Sequence, residues 1–163
     1  ERHAVATLWA ELTMKSFDAG GEPGALYRLL SAGLDALDSA DGPASIGLSV
    51  RFLLRFLKLL GMSYPVLAGA HPGIASGHAA HAAGLVWEAI QQRTQNPVLP
   101  IPASLAAHRM LLLLLAREMD LQLQSGDYLN DVFGSGPGSS VSPGPATGFP
   151  TASAPEGAAK TGD

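Results

Sequence analysis

The sequence predicts an all-α fold, a small helical bundle whose helices are joined by short connections. Three segments repeat apolar residues at the 3.6-residue spacing of one helical face, and turns that contain glycine or proline separate them. Hydrophobic residues make up 47% of the 163 residues, which is ample material for a core. Amphipathic helices with short connections are typical of an antiparallel bundle.

The first two helices are predicted over about residues 3–17 and 25–37. Glu11 and Lys15 are four residues apart, so they can pair on the outer side of the first helix. A turn over residues 38–43 should follow the second helix. The apolar faces consist of Val5, Leu8, Trp9 and Leu12 in the first helix, and of Leu26, Leu29, Leu30, Leu34 and Leu37 in the second.

The third predicted helix, about residues 44–60, carries the most prominent polar pattern, and Gly61 should end it. Arg51, Arg55 and Lys58 recur at spacings of four and three, so they form one basic stripe. This stripe is either the solvent-facing side of an amphipathic helix or an electrostatic dock for phosphate or for an acidic peptide tail. Docking requires a groove beside the stripe.

The second half of the chain has weaker patterns. Residues 62–84 are predicted to form a long irregular loop, followed by a short helix over 85–94 and an extended stretch over 96–102. Ser104 is the expected N-cap of a central helix that reaches about residue 120, and the run Met110 to Leu115 indicates burial on nearly all sides.

The last part of the sequence divides into a domain end and a tail. A short helix over about residues 127–133 should close a domain that spans residues 3–133. Residues 134–163 consist largely of Gly, Pro, Ser, Ala and Thr and offer almost nothing to bury, so they are predicted to be a disordered tail.

Candidate catalytic and metal-binding groups are few. His71, His78 and His81 lie close together in the sequence, but no Cys, Asp or Glu within residues 62–84 could complete a metal site, so we expect solvated histidines. His108 is expected to be partly buried or capping. No nucleophile motif and no phosphate-binding loop is present. We therefore expect no enzyme activity, no cofactor and no small-molecule substrate.

The charge balance argues against a stand-alone nucleic-acid binder. Lys and Arg number 10 against 14 Asp and Glu, a formal net charge of -4. The absence of cysteine is compatible with a reducing cytoplasm, and no apolar run is long enough to span a membrane. The sequence begins with Glu1 directly before a helical pattern, so we expect it to be a piece of a longer protein.

Five segments, in this order, resemble the C-terminal helical domain of RecO, a bacterial DNA-repair and recombination mediator. Residues 4–12 resemble the family's first helix, and Leu26-Tyr27-Arg28-Leu29-Leu30 with Leu34-Asp35-Ala36-Leu37 the second. Residues 51–61, followed by Tyr64-Pro65, resemble its Arg-Phe…Leu-Leu…Leu-Gly helix. Residues 83–87 resemble part of the zinc-binding loop, and residues 121–125 with Tyr128-Leu129 resemble the closing motif.

The resemblance implies a protein that anneals complementary single strands and helps to load RecA, together with RecR, onto DNA coated by single-stranded DNA-binding protein. It also implies a bacterial cytoplasmic, nucleoid-associated location and DNA contact mainly through an N-terminal OB-fold, which this sequence lacks. The family's zinc cysteines are absent as well, and Trp87 stands where one is expected. Zinc ligation is therefore not implied for this chain.

A different function remains open at this point. The same helices could form a protein–protein interaction or scaffold domain that is unrelated to DNA repair. For the RecO-type function, the expected partner-binding or DNA-binding residues are Arg51, Arg55 and Lys58, which could hold the acidic tail of the single-stranded DNA-binding protein in a groove beside their helix.

Overall fold

The computed structural model describes residues 1–18, 22–95 and 97–120, and within them the regular secondary structure consists of α-helices. The predicted fold class is therefore confirmed. The predicted helix over 127–133 and the predicted tail over 134–163 lie outside the described residues. The helices are α1 (Arg2–Asp18), α2 (Pro23–Asp38), α3 (Gly42–Leu59), α4 (Tyr64–Ala70), α5 (Gly77–Gln92) and α6 (Ile101–Glu118).

Helix α3 is the central helix of the bundle, because it packs against each of the other five. Asp41 caps its start, where the carboxylate accepts a hydrogen bond of 2.8 Å from the backbone N–H of Ala44. Gly61 follows its end with a φ of +76°, as the sequence predicts. The residues that α3 buries include Val50, Leu53, Leu54, Phe56 and Leu57, none of them exposed to solvent.

The predicted irregular loop over residues 62–84 is wrong, because α4 and the first half of α5 occupy most of it. Tyr64 and Leu67 are buried, and the Tyr64 hydroxyl donates a hydrogen bond of 2.9 Å to the carbonyl of Ala80. Helix α5 starts at Gly77 instead of residue 85 and buries mostly alanines in its first two turns. Alanine favours helices strongly but gives only a weak hydrophobic pattern, so hydrophobic periodicity did not predict this part of α5.

Two expectations about α6 are also wrong. Its N-cap is Pro100, and Ser104 lies buried within the helix. The run from Met110 to Leu115 is not buried on all sides, because Leu113 is 59% exposed, and α6 packs on α3 and α5 instead of forming the centre. Among the described residues, no helix combines the length and the apolar character that crossing a bilayer requires.

Candidate docking groove at Arg51 and Arg55

Two stacked aromatic rings form the floor of a cavity between α2 and α3. The rings of Trp9 and Phe52 lie with their centroids 4.3 Å apart and their planes 7° from parallel. The indole N–H of Trp9 donates a hydrogen bond of 3.0 Å to the hydroxyl of Ser49. This bond satisfies the polar atom of the buried indole and fixes the ring in place.

Helix α2 approaches these rings closely because residue 33 is a glycine. A Cβ added to Gly33 would lie 2.9 Å from Cζ3 of Trp9 and 3.1 Å from Cδ2 of Phe52, so a larger residue would push α2 away. The space that remains beside this contact is a cavity of about 160 Å³. We call it the aromatic cavity; it is lined by Trp9, Leu29, Ala32, Gly33, Ala36, Leu48, Arg51, Phe52 and Arg55.

A second and larger cavity of about 560 Å³ lies next to it, between the end of α2, the first half of α3 and the segment that leads into α6. We call it the apolar cavity, because Leu48, Val86, Val98, Leu99 and Ile101 are among its lining residues. Ala36, Leu48 and Arg51 line both cavities, so Arg51 stands at their border. We call the two neighbouring cavities together the Arg51 groove.

The groove has a cationic rim. Arg51 is half-buried and Arg55, one turn later, is exposed. Burial lowers the pKa of the Arg51 guanidinium from its usual value, and the charge of Arg55 lowers it further, but a guanidinium stays protonated at neutral pH. The positive charges of Arg51 and Arg55 repel each other. An anion bound between them would reduce this repulsion and would also accept hydrogen bonds from both guanidinium groups.

The third residue of the basic stripe points elsewhere. The ammonium of Lys58 donates a hydrogen bond of 3.0 Å to Oε1 of Gln91 on α5, and Lys58 does not line either cavity. The structure thus brings Arg51 and Arg55 together at the groove and separates Lys58 from them. The binding role of all three residues stays a prediction.

The histidines of residues 62–84 do not meet one another at a common site. His71 is half-buried and its Nε2 lies within hydrogen-bond distance of a Glu118 carboxylate oxygen at the end of α6, while His78 and His81 are exposed on α5. Within the described residues, no three His, Cys, Asp or Glu side chains are grouped as a metal ion would require. The His71–Glu118 pair could not be predicted from the sequence, because its partners are 47 positions apart.

His108 is fully buried in α6, at 1% exposure, instead of partly buried or capping. Neither ring nitrogen has a hydrogen-bond partner among the described residues. Burial, with a smaller contribution from the charge of Arg109, lowers the pKa of His108 to about 4. The imidazole is therefore neutral at pH 7, and it lines neither cavity of the groove.

Sequence reasoning found the arginines of the groove but missed its floor and its larger half. One signal for the floor was present. Gly33 stands inside a helix, where glycine costs about 1 kcal/mol relative to alanine, and such a position indicates close packing. The apolar cavity had no comparable signal, because it depends on how residues 97–101 fold back onto α3.

The comparison with known proteins identifies a family. The family model described as "Recombination protein O C terminal" matches residues 1–122, which is about three quarters of the chain. No curated protein and no solved structure is similar enough to count as a match. The match favours the RecO interpretation over a helical interaction domain unrelated to DNA repair.

Proposed function

The chain belongs to the recombination protein O C-terminal family, and from that premise we propose that it acts in RecO-type recombination mediation. In this proposal the protein anneals complementary single strands and, with RecR, helps to load RecA onto DNA coated by single-stranded DNA-binding protein. It works by binding and makes or breaks no bonds. Its place of action is the bacterial cytoplasm, at the nucleoid.

Within this protein, the helical domain holds the acidic and hydrophobic tail of the single-stranded DNA-binding protein in the Arg51 groove. The observation that carries this proposal is the position of Arg51 and Arg55 at the rim of a cavity whose floor is the Trp9–Phe52 stack. The tail places a hydrophobic side chain in the cavity, beside Leu29 and Leu48, which line it. Its carboxylates then meet the two guanidinium groups, which suit planar bidentate partners.

The same charges support a peptide in preference to DNA as the occupant. Among the residues that the structure describes, two cations line the aromatic cavity, whereas nucleic-acid grooves carry a longer basic track along the backbone. The chain as a whole is acidic, with a formal net charge of -4. Single-stranded DNA therefore contacts mainly the OB-fold that the family carries elsewhere.

A titration with the tail peptide tests this function. Arg51→Ala and Arg55→Ala should each weaken binding by about 10- to 100-fold, since a hydrogen bond to a charged group contributes about 1.5–3 kcal/mol. Lys58→Ala is the matched control on the same helix, and its affinity should stay within about two-fold of the wild type because Lys58 is directed to Gln91. Unchanged affinity in both arginine variants would discard the groove as the docking site.

A further inference from the structure

The sequence beyond the described residues contains a candidate occupant for the aromatic cavity. Between residues 134 and 163 there is one aromatic residue, Phe149, within the run Gly148-Phe149-Pro150. The same residues carry the carboxylates of Glu156 and Asp163 and a single cation, Lys160. This segment thus combines an isolated aromatic side chain with an acidic balance, which is the chemistry that the aromatic cavity fits.

We propose that the segment around Phe149 occupies the aromatic cavity of its own chain and competes there with the partner's tail. The inference rests on the proposed function, since it names a regulator of the same site. In this arrangement the Phe149 ring enters the cavity beside Leu29, Leu48 and the aliphatic part of Arg51, above the buried Trp9–Phe52 floor. The rim arginines Arg51 and Arg55 attract the carboxylates of the segment, of which Glu156 follows Phe149 by seven positions.

The length of the intervening chain suits this contact. Helix α6 has 18 residues and is about 27 Å long at 1.5 Å per residue, and its first residues line the apolar cavity, which borders the aromatic cavity at Arg51. A segment that leaves its far end must therefore return by roughly that distance. The 29 residues from Asp120 to Phe149 can extend over as much as about 100 Å at roughly 3.3–3.6 Å per residue, so the chain is long enough to return that far.

Self-occupation of this kind weakens partner binding without abolishing it. A short flexible connection gives an effective concentration of about 1 mM. A single aromatic contact with a dissociation constant between about 0.1 and 1 mM then raises the partner's apparent dissociation constant by about two- to ten-fold. Competition by the Phe149 segment thus favours partner tails that carry more carboxylates or are present at a higher local concentration.

The test uses the full chain and compares Phe149→Ala with Val141→Ala, which removes another apolar side chain of the same tail. Two quantities are measured: the NMR signals of the Trp9 indole N–H and the Arg51 guanidinium, and the affinity for the tail peptide of single-stranded DNA-binding protein. We expect Phe149→Ala to shift both signals and to strengthen peptide binding by about two-fold or more. Val141→Ala should change neither, and a peptide of residues 143–157 added to Phe149→Ala should restore the wild-type signals.

The outcomes separate this inference from the proposed function. Identical Trp9 and Arg51 signals in the wild type and Phe149→Ala overturn the inference, even if the arginine variants still weaken partner binding. If the partner peptide binds neither the wild type nor any variant, the proposed function is contradicted. A change of the Trp9 and Arg51 NMR signals in Phe149→Ala would still support occupation of the cavity by the Phe149 segment. If the difference in the Trp9 and Arg51 NMR signals between the wild type and Phe149→Ala grows with protein concentration, the Phe149 segment binds a second copy of the chain. That result overturns the intramolecular contact.

Discussion

The indole of Trp9 lies face to face with the ring of Phe52, at a centroid distance of 4.3 Å, and Gly33 of α2 rests against the edge of both rings. Three helices therefore meet at one contact, which forms the floor of the aromatic cavity. Because the rings are buried on α1 and α3, the position of α2 depends on the absence of a side chain at residue 33. This dependence makes the contact testable by the smallest possible substitution.

We expect Gly33→Ala to lower the free energy of unfolding by about 1–3 kcal/mol, despite the higher helix propensity of alanine. The new methyl group would lie 2.9 Å from Trp9 and 3.1 Å from Phe52, closer than ordinary van der Waals contact, so either the rings or α2 must shift. Urea denaturation measures the change.

Gly84→Ala is the matched control for this substitution. Gly84 also lies inside a helix, but a Cβ there would meet no atom within 4 Å, so the variant should be more stable by about 0.4–1 kcal/mol. Equal effects at the two glycines would contradict the close approach of α2 to the rings.

The hydrogen bond between Trp9 and Ser49 should give a measurable coupling energy. In Ser49→Ala the buried indole N–H loses its acceptor, and an unsatisfied buried donor costs about 1–3 kcal/mol. A double-mutant cycle with Trp9→Phe, which removes the donor, isolates this term and should yield about 1 kcal/mol of coupling. The same cycle with Ser45→Ala serves as the control, because the Ser45 hydroxyl donates to the backbone carbonyl of Gly42; a coupling as large there would disprove the assignment.

The sequence was sufficient to predict the first three helices, because leucine-rich faces at helical spacing are a strong signal. Helices α1 and α2 begin and end within two residues of their predicted limits, and the pair Glu11–Lys15 is present at 3.2 Å. Helix α5 was missed over residues 77–84 because its buried side chains there are alanines. A buried alanine face has little hydrophobic contrast, so periodicity alone does not reveal it.

The sequence predicted the charged residues of the candidate site but not the cavities that they line. The spacing of Arg51, Arg55 and Lys58 places them on one side of α3, yet the structure turns Lys58 toward Gln91 and leaves two arginines at the groove. The groove itself arises from contacts between α2, α3 and residues 97–101, which are distant in sequence. Such long-range packing can be inferred from the sequence only indirectly, for example from the glycine inside a helix at position 33.

The cap of α3 should contribute about 1 kcal/mol to stability, because the Asp41 carboxylate satisfies the N–H of Ala44, which has no partner within the helix. We expect Asp41→Ala to lose this amount in thermal or urea unfolding, while Asp41→Asn retains most of it since asparagine also caps. Asp35→Ala removes an exposed carboxylate from α2 and is the control. A loss of similar size in Asp41→Asn would show that charge, and not the capping hydrogen bond, matters at this position.

His108 should make the stability of the domain depend on pH between about 6.5 and 4. Burial holds the pKa of the folded state at about 4, against 6.5 for the free side chain, so the unfolded chain takes up a proton first as the pH falls. The contribution of the neutral imidazole is therefore complete above pH 6.5 and is lost as the pH drops toward 4. At about 1.4 kcal/mol per unit of pKa, the loss amounts to about 3 kcal/mol.

Replacement by leucine isolates this effect. His108→Leu removes both unpaired ring nitrogens, so the variant should be about 1 kcal/mol more stable than the wild type at pH 7 and should lose the His108 part of the pH dependence. His78→Leu makes the same change at an exposed position of α5 and should keep the wild-type slope. Urea unfolding at several pH values measures both variants. A wild-type slope in His108→Leu would mean that the acid sensitivity arises elsewhere and that His108 is partnered in solution, for instance by a buried water.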